Sequence, residues 1–455
     1  MRKSHTFAKK QDMLYRKFAK NIEDFLRTEP EKILLVNGAR QIGKSFIIRH
    51  VGSRMFKNFV EINLREDREG PQIFSNVRTT EDLYLQLSIV AGSKLGKKEN
   101  TLIFLDEIQE YPQLLTMLKF LRQDGRYRFI ASGSLLGAAL HDTGSVPMGS
   151  IEIQQMYPLD FEEYLIANGM NAEALEALKK KCLGKETLDE QTHAYLLQLF
   201  RKYLVTGGLP EAVDNFIKNI NVVKLRRIQR NIHELYKIDC SKYDSEKKLV
   251  IRKVYDMIPS LMENKKKRIV VKDIENRKGR QFTDYEQEFE YLISAGVALE
   301  VRAVSNPKFP ITESETKNLL KLYLNDVGLL SYLLYNINVN AILDDVASVN
   351  LGNLYETAVA QELHAHGFKL HYYDNKQKGE VDFLVDDYSE LSVLPIEVKS
   401  GKDYKVHSAL DNFMKTADYH IKKSIVLSNE RRVFEENGVV YMPVYYIAFI
   451  LPDMV

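Results

Sequence analysis

Residues 38–45 constrain the fold of this 455-residue chain more than any other segment. Their sequence is Gly-Ala-Arg-Gln-Ile-Gly-Lys-Ser, and it follows an apolar run at 33–36 and precedes a helix-like stretch at 46–50. It fits the template G-x-x-x-x-G-K-[ST] at every fixed position and in the required order of strand, loop and helix. The glycines let backbone N–H groups turn inward around a phosphate chain, and the following helix points its positive end at the same anion. The segment therefore predicts a phosphate-binding loop.

The template gives each residue of this loop a role. Lys44 is expected to reach the β- and γ-phosphates of a nucleoside triphosphate, and Ser45 is expected to hold Mg²⁺. The other residues are expected to bind phosphate through their backbone: Gly38, Ala39, Arg40, Gln41, Ile42 and Gly43. A surface turn that contains glycines is the alternative, but it leaves the preceding strand, the following helix and the Lys-Ser pair unexplained.

A second buried strand is predicted at 101–105, and it ends in the acidic pair Asp106 and Glu107. The carboxyl edge of a buried parallel strand is where nucleotide enzymes keep their magnesium chemistry. Asp106 is expected to bind the metal through water, and Glu107 is expected to orient and polarise the attacking water. A helix cap or a solvated loop is the alternative for such a pair, but its position after the phosphate-binding loop favours the functional interpretation.

A further strand is predicted at 127–131, after a helix at 112–123. A small polar residue at the end of this strand can sense the γ-phosphate or orient the water. Ser132 is chosen for this role, with Ser134 in reserve, and a serine that simply ends the strand is the alternative. An alternating segment at 150–156 is expected to close the sheet.

Five motifs occur in order along the chain: the loop at 38–45, Leu-Asp-Glu-Ile-Gln at 105–109, Ser-Gly-Ser-Leu-Leu at 132–136, Pro-Leu-Asp-Phe-Glu-Glu-Tyr at 158–164 and Gly-Gly-Leu-Pro-Glu-Ala-Val at 207–213. Together they resemble a prokaryotic AAA-type ATPase family that joins its ATPase to a C-terminal domain of unknown function. The resemblance covers nearly the whole chain. It implies an α/β AAA+-like core, with the loop's strand between other strands of a parallel sheet, and ATP and Mg²⁺ as cofactors.

The chain departs from this family at one place that bears on the reaction. Members often carry Gly-Arg before the last strand of the core, whereas this chain has Gly149 and Ser150. Neither an arginine finger nor a second sensor is therefore assigned. Arg122, Arg126 and Arg128 are the substitutes, with a solvated surface charge as the alternative for each. AAA+-like cores often form rings in which a neighbour's arginine completes the site, so both a monomer and an oligomer stay open.

The length of the chain exceeds what one hydrophobic core serves, so several domains are expected. They are an AAA+-like core at 1–160, a helical lid at 161–220, a helical, winged-helix-like module at 221–340 and a nuclease-like domain at 341–455. The winged-helix interpretation depends on the order of helix, polar turn, helix and alternating strand between 249 and 305.

Basic residues cluster around the winged-helix-like segment, which favours a contact with DNA phosphates. They are Lys265, Lys266, Lys267, Arg268, Arg277, Lys278 and Arg280. Acidic Glu286, Glu288 and Glu290 lie close by in sequence, so a solvated basic face on a structural connector is the alternative. The net charge of +2 gives no global field that decides between the two.

The last segment carries a second chemical pattern, with Asp382 in Gly-Glu-Val-Asp-Phe-Leu-Val and Glu397 and Lys399 in Ile-Glu-Val-Lys-Ser. Residues i and i+2 of a strand project from one face, so Glu397 and Lys399 are expected at one site. The pattern resembles that of PD-(D/E)xK nucleases and implies a restriction-endonuclease-like α/β domain. Asp382 and Glu397 would hold Mg²⁺ and Lys399 would position or deprotonate water, while Glu356 would add an outer ligand. The solvent face of an alternating strand is the alternative.

Composition and hydropathy restrict the compartment. Hydrophobic residues make up 45% of the chain and charged residues 28%, as in ordinary globular proteins. The two cysteines, Cys182 and Cys240, have no metal-ligand spacing, which argues against a disulfide scaffold or a zinc site. No apolar run has the length of a bilayer span, so a cytoplasmic protein without a membrane partner is expected.

Three functions are weighed. The leading hypothesis is an ATP-binding and ATP-hydrolysing protein whose nucleotide state controls the C-terminal nuclease-like domain. The second is an ATP-gated, metal-dependent DNA nuclease. The third is a nucleotide-controlled scaffold that binds nucleic acid or protein without cutting.

Overall fold

The fold of the first part of the chain is organised by a parallel sheet. The computed structural model describes residues 13–29, 31–134, 136, 149–240, 247–263, 267–275, 279–344 and 349–452, with the backbone alone at 315–318. Within these ranges the first sheet has five strands in the order β2-β3-β4-β1-β5, all parallel. Its strands are β1 (Ile33–Asn37), β2 (Asn58–Asn63), β3 (Thr101–Asp106), β4 (Arg128–Gly133) and β5 (Ile151–Gln155).

Strands β1 and β3 are buried along their whole length. Leu34 and Phe104 pack into one hydrophobic cluster, whereas Leu35 and Leu105 pack into another on the opposite face. Because side chains alternate along a strand and helices cover both faces, the strands read as continuous apolar runs. This arrangement places the carboxyl ends of β1, β3 and β4 at one edge of the sheet.

Among the residues described, five helices flank this sheet, and polar residues set where several begin. Thr79 forms a capping box at the start of the fourth helix, and a proline occupies the first position of the fifth. The helices are α1 (Lys17–Thr28), α2 (Lys44–Met55), α3 (Leu64–Glu69), α4 (Thr80–Ala91) and α5 (Pro112–Asp124).

A helical segment follows the sheet. Its helices are α6 (Phe161–Ala167), α7 (Ala172–Leu183), α8 (Glu190–Thr206) and α9 (Pro210–Asn219). Between α8 and α9, Gly208 donates its N–H to Asp326 Oδ2 at 2.6 Å. A Cβ atom at Gly208 would lie 2.0 Å from the carbonyl oxygen of Leu159, so this close backbone approach requires glycine. Gly208 thus joins the helical segment to Asp326, which lies more than a hundred positions later in the chain.

The middle of the chain is helical with one hairpin. Its elements are α10 (Val222–Cys240), α11 (Lys248–Glu263), α12 (Val271–Ile274), α13 (Glu286–Ser294), β6 (Ala298–Val304), β7 (Glu315–Leu324), α14 (Val327–Tyr335) and α15 (Asn340–Leu343). The last part contains α16 (Gly352–Ala365), β8 (His371–Asn375), β9 (Gly379–Asp387), β10 (Ser392–Val398), α17 (Ser408–Met414), β11 (Ser424–Ser428), β12 (Phe434–Glu436) and β13 (Val439–Pro443).

The hairpin β6–β7 belongs to the same sheet as the C-terminal strands. This mixed sheet has eight strands among the residues described, in the order β12-β13-β11-β10-β9-β8-β6-β7. Strand β6 pairs with β7 in the antiparallel and with β8 in the parallel direction. The expected domain boundary between residues 340 and 341 therefore falls between strands of one sheet. The strand expected in the winged-helix-like segment, β6, lies inside this sheet between β8 and β7.

One hydrophobic cluster connects these regions. It contains Ile22 of α1, Leu204 of α8, Tyr355 of α16 and Leu394 of β10, all almost fully buried. A movement of one region would therefore displace side chains that are packed against the next region. In the part of the chain that the structure describes, no helix combines the length and the apolar character that crossing a bilayer requires.

Candidate nucleotide site

The loop at 38–45 adopts the backbone that its glycines allow. Gly38 and Gly43 have φ angles of +152° and +94°, and Gly43 immediately precedes α2. A Cβ atom at Gly38 would lie 2.5 Å from the carbonyl oxygen of Met156, so a side chain is excluded there. The loop ends at the N-terminus of α2, where unpaired backbone N–H groups favour an anion.

Lys44 is the buried cation of this loop. Its Nζ atom donates to the carbonyl oxygens of Gly38 and Ala39, each at 2.8 Å. Burial lowers the pKa of its ammonium group to about 8, and the nearby carboxylates of Glu107 and Asp106 partly oppose this effect. A cation whose charge is penalised by burial gains from an anion placed beside it. The residues present therefore fit a phosphate group.

The acidic pair lies at the same edge of the sheet. Ser132 Oγ donates to Asp106 Oδ1, and Ser134 Oγ lies 3.4 Å from Glu107 Oε2, so each serine contacts one member of the pair. Burial raises the pKa of Asp106, while hydrogen bonds from Ser132 and Ser45 oppose the increase. Ser45 and Asp106 are thus brought together, as oxygen ligands of one Mg²⁺ ion would be.

A cavity of about 620 Å³ joins these residues to the helical segment. Lys44, Ser45 and Glu107 line it on the side of the sheet domain, and Pro210 and Glu211 of α9 contribute to it from the helical segment. Further lining residues are Met13, Leu14, Arg16, Arg40, Gln41, Gly43, Phe46, Ile47, Arg65, Asp214, Lys218 and Leu235. A cavity between a core and a helical segment can enclose a nucleotide.

Two arginines of this cavity were not predicted from the sequence. Arg16 Nη1 donates to the carbonyl oxygen of Ile42 at 2.7 Å, and its Nε donates to Glu163 of α6 at 3.2 Å. Arg65 follows the end of β2 and pairs with Glu69 at 3.1 Å. Asn63, the last residue of β2, pairs with Asp106, so the residues directly after β2 lie beside the acidic pair. This rule could have identified Arg65 from the sequence. Arg16 carries no comparable signal, since it precedes the first helix.

The three arginines considered as substitutes for the missing finger contact other parts of the core. Arg122 Nε donates to the carbonyl oxygen of Glu31 at 3.1 Å. Arg126 pairs with Glu81 at 2.8 Å, and Arg128 donates to the carbonyl oxygen of Leu26 at 2.7 Å. These three residues do not line the cavity.

The C-terminal cluster consists of Glu356, Asp382, Glu397 and Lys399. The backbone N–H of Val398 donates to Asp382 Oδ2 at 2.8 Å, and Lys399 Nζ lies 2.8 Å from Glu397 Oε1. Burial raises the pKa of Asp382 well above its usual range, and the charges of Glu397 and Glu356 raise it further. The adjacent strands β9 and β10 thus bring the sequence-predicted residues together.

Lysines from the middle of the chain enter this cluster. Lys267 Nζ and Tyr323 OH donate to Glu356, and Lys321 Nζ lies 3.7 Å from the same carboxylate. Lys321 is fully buried and also pairs with Glu380 at 2.5 Å. Of the basic residues expected at DNA, Lys267 is therefore paired with a carboxylate.

The other basic residues of that group either lie near a carboxylate or fall outside the described residues. Arg268 pairs with Asp374 at 2.5 Å, and Arg280 lies 3.9 Å from Asp284. Outside the described residues lie Lys265, Lys266, Arg277 and Lys278. Among the described residues, no group of three or more His, Cys, Asp or Glu has an arrangement that could hold a metal ion.

Three family models match successive parts of the chain. Residues 30–165 match an AAA domain, residues 197–340 match a domain of unknown function (DUF8612), and residues 351–447 match another domain of unknown function (DUF4143). A search of the curated proteins found no match. The prediction of an α/β domain with a parallel sheet and a phosphate-binding loop of the AAA type is confirmed.

Solved structures similar to the chain include the following three. The Walker-type ATPase of Pyrococcus abyssi is 15% identical with a TM-score of 0.42, over 71% of this chain and 97% of that chain. The RuvB Holliday junction branch migration motor of Thermotoga maritima is 16% identical with a TM-score of 0.29, over 63% and 89%. The Hsp104–ADP complex of S. cerevisiae is 11% identical with a TM-score of 0.29, over 77% and 42%.

Proposed function

Because residues 30–165 form a P-loop AAA-like ATPase domain, we propose that the chain binds and hydrolyses ATP with Mg²⁺ and that its nucleotide state controls the C-terminal domain. The observation that carries this proposal is the convergence of Lys44, Ser45 and Glu107 on one cavity, with Asp106 hydrogen-bonded beneath them. The types and positions of these side chains match the requirements of phosphoryl transfer to water.

Each residue performs a separate task. Lys44 binds the β- and γ-phosphates through its ammonium group. Ser45 would provide an oxygen ligand for Mg²⁺ and Asp106 would bind the ion through water, while Ser132 orients the Asp106 carboxylate through its hydroxyl group. Glu107 orients the attacking water and accepts its proton. ATP with Mg²⁺, when bound, supplies the reactive phosphoryl group and part of the charge that stabilises its transfer.

Direct contacts connect the helical segment to the C-terminal domain. The backbone N–H of Phe161, the first residue of α6, donates to Glu362 Oε1 at 2.8 Å. The hydroxyl group of Tyr203 in α8 donates to the same oxygen at 3.0 Å. Glu362 lies on α16, the helix that also carries Glu356. We infer that nucleotide-dependent movement of the helical segment reaches the C-terminal cluster through α16.

The C-terminal domain fits the restriction-endonuclease-like interpretation in the position of its key residues. Asp382 lies on β9, Glu397 lies on the neighbouring antiparallel strand β10, and Lys399 follows two residues later. We also propose that the middle module is winged-helix-like. Its hairpin would then extend the nuclease-like sheet.

Ion pairs within the C-terminal cluster favour the non-cleaving function over the nuclease. Glu356 receives hydrogen bonds from Lys267 and Tyr323, and Glu397 pairs with Lys399. The positive charges of the lysines thus compensate the negative charges of carboxylates that would otherwise bind Mg²⁺. We therefore propose that this domain binds a nucleic acid or protein partner without cutting it, with the ATP-gated nuclease as the other candidate function.

Titration calorimetry tests the proposed ATPase directly. The full chain is titrated with ATP, ADP and GTP, with Mg²⁺ and with EDTA, and phosphate release is then measured with single-stranded DNA, double-stranded DNA or RNA. We expect Mg²⁺-dependent ATP binding and turnover, and stimulation by one of the polymers identifies the class of partner. If well-folded protein takes up no nucleotide, the proposed function is wrong.

A cleavage assay separates the two C-terminal functions. End-labelled DNA and RNA are incubated with the wild type, Asp382→Ala and Lys399→Ala, with ATP and with Mg²⁺ or Mn²⁺. We expect no cutting by any of them, because lysines balance the carboxylates of the cluster. Metal-dependent cutting by the wild type that is lost in Asp382→Ala but kept in Glu390→Gln, which changes an exposed carboxylate of the same domain, would establish the nuclease instead.

A further inference from the structure

The side chain of Arg40 occupies a functional position within the phosphate-binding loop. It lines the cavity together with Lys44. Lys44 Nζ contacts the carbonyl oxygens of Gly38 and Ala39, the two residues before Arg40. Because Lys44 marks where the β- and γ-phosphates bind, Arg40 borders the reactive end of the nucleotide.

Residues of the middle module hold Arg40 in place. Its Nη1 atom lies 2.6 Å from Asp239 Oδ1, and the two side chains are only 11% and 6% exposed. Tyr236, on the same helix α10 as Asp239, donates its hydroxyl group to the carbonyl oxygen of Arg40 at 2.8 Å. The hydroxyl group of Tyr291 in α13 donates to the carbonyl oxygen of Asp239 at 2.9 Å. The Asp239 carboxylate therefore holds the guanidinium group, while Tyr236 anchors the backbone of Arg40 and Tyr291 anchors the backbone of Asp239.

One donor of Arg40 has no acceptor among the residues that the structure describes. Its Nε atom is buried without a hydrogen-bond partner there, although its Nη1 atom is bonded to Asp239. A buried donor without an acceptor is costly, and an anionic oxygen brought within reach of Nε when the nucleotide binds would satisfy it through a charge-assisted hydrogen bond. This donor is thus a second observation, independent of the loop motif, that indicates an anionic ligand.

We propose that the Arg40 side chain binds the terminal phosphate of ATP within its own chain, and that Asp239 is the positioning residue that holds it there. The proposal rests on the ATPase function proposed above. Arg40 acts on the step in which the water oxygen bonds to the γ-phosphorus and the bond to the bridging oxygen breaks. The electron pair of that bond leaves on ADP, and a proton of the water passes to Glu107.

A guanidinium group that is already oriented stabilises the charge of this transition state without reorganising. The middle module then completes the catalytic site of the ATPase domain through Asp239. No arginine from a neighbouring chain is required, which accounts for the replacement of the expected Gly-Arg by Gly149 and Ser150.

Kinetics of full-length variants test this assignment. We expect Arg40→Ala to lower kcat at least about a hundredfold while the Kd for ATP changes less than about tenfold. Asp239→Asn is expected to lower kcat at least about tenfold, and Asp239→Glu to restore part of the loss. ADP with aluminium fluoride mimics the transition state, so the wild type should bind it more tightly than ADP alone. Both Arg40→Ala and Asp239→Asn should lose most of this preference. A merely structural ion pair does not produce this selective loss.

Asp256→Asn is the matched control, because it removes an ion pair between Asp256 of α11 and Lys237 of α10, the helix that carries Asp239. It should keep turnover within about twofold of the wild type. Full turnover in Arg40→Ala overturns the proposal. A result in which Arg65→Ala loses turnover and Arg40→Ala does not would assign the role to Arg65 instead. A mixture of Lys44→Ala and Arg40→Ala should stay inactive, and restored activity would place the arginine in a neighbouring chain. Absence of ATP binding by the wild type refutes the ATPase function instead, so the two failures are distinguishable.

Discussion

Replacement of Lys44 by alanine is expected to abolish ATP hydrolysis, with turnover at least about a thousandfold below that of the wild type. Such a loss corresponds to about 4 kcal/mol of transition-state stabilisation. The ammonium group of Lys44 is buried beside Asp106 and Glu107, where a charge acts more strongly on a phosphate than it does in water. Its removal leaves the γ-phosphate without this countercharge and also weakens ATP binding.

Phosphate release under saturating ATP measures this loss, and calorimetry measures the accompanying change in Kd. Lys119→Ala is the matched control, because Lys119 is an exposed lysine of α5 in the same domain. It should leave both quantities unchanged, which separates the phosphate contact from a general effect of removing a lysine. Turnover by Lys44→Ala close to that of the wild type would contradict the assignment of the nucleotide site.

Local patterns were sufficient to predict the ATPase domain. The glycines at 38 and 43, the apolar strand before them and the helix after them are adjacent in sequence, so their geometry follows from short-range rules. The acidic pair was found because a buried parallel strand ends directly before it. The parallel sheet and the AAA class are confirmed, whereas the roles of the individual site residues stay predictions.

Contacts between distant segments were not accessible in the same way. Strand β6 pairs with β8, about seventy residues later in the chain, and alternation alone does not indicate a strand's partner. Arg40 and Asp239 likewise meet across 199 positions. Lys267 was interpreted from a run of basic residues as a contact for DNA, but its partner Glu356 follows 89 positions later. Charge patterns show that a residue needs a partner without identifying which one.

Substitution of Glu107 by glutamine is expected to separate ATP binding from hydrolysis. Glu107 lines the cavity, and its Oε2 atom accepts a hydrogen bond from Gln109. Glutamine has nearly the same size and keeps an oxygen that can accept this bond. It cannot accept the proton of the attacking water, so turnover should fall about a hundredfold to ten-thousandfold. The Kd for ATP should stay within a few fold of the wild type, because Lys44 and the loop backbone are unchanged.

The trapped state gives this prediction a direct readout. After incubation with ATP and Mg²⁺, the nucleotide released on denaturing Glu107→Gln should be mainly ATP, whereas the wild type should release mainly ADP. Glu110→Gln is the matched control, since Glu110 lies three residues later and 3.9 Å from Arg68 at the surface. It should hydrolyse ATP normally. Rapid hydrolysis by Glu107→Gln would assign the base to another group, and loss of ATP binding would give Glu107 a structural role, because removal of a proton acceptor alone leaves the phosphate contacts intact.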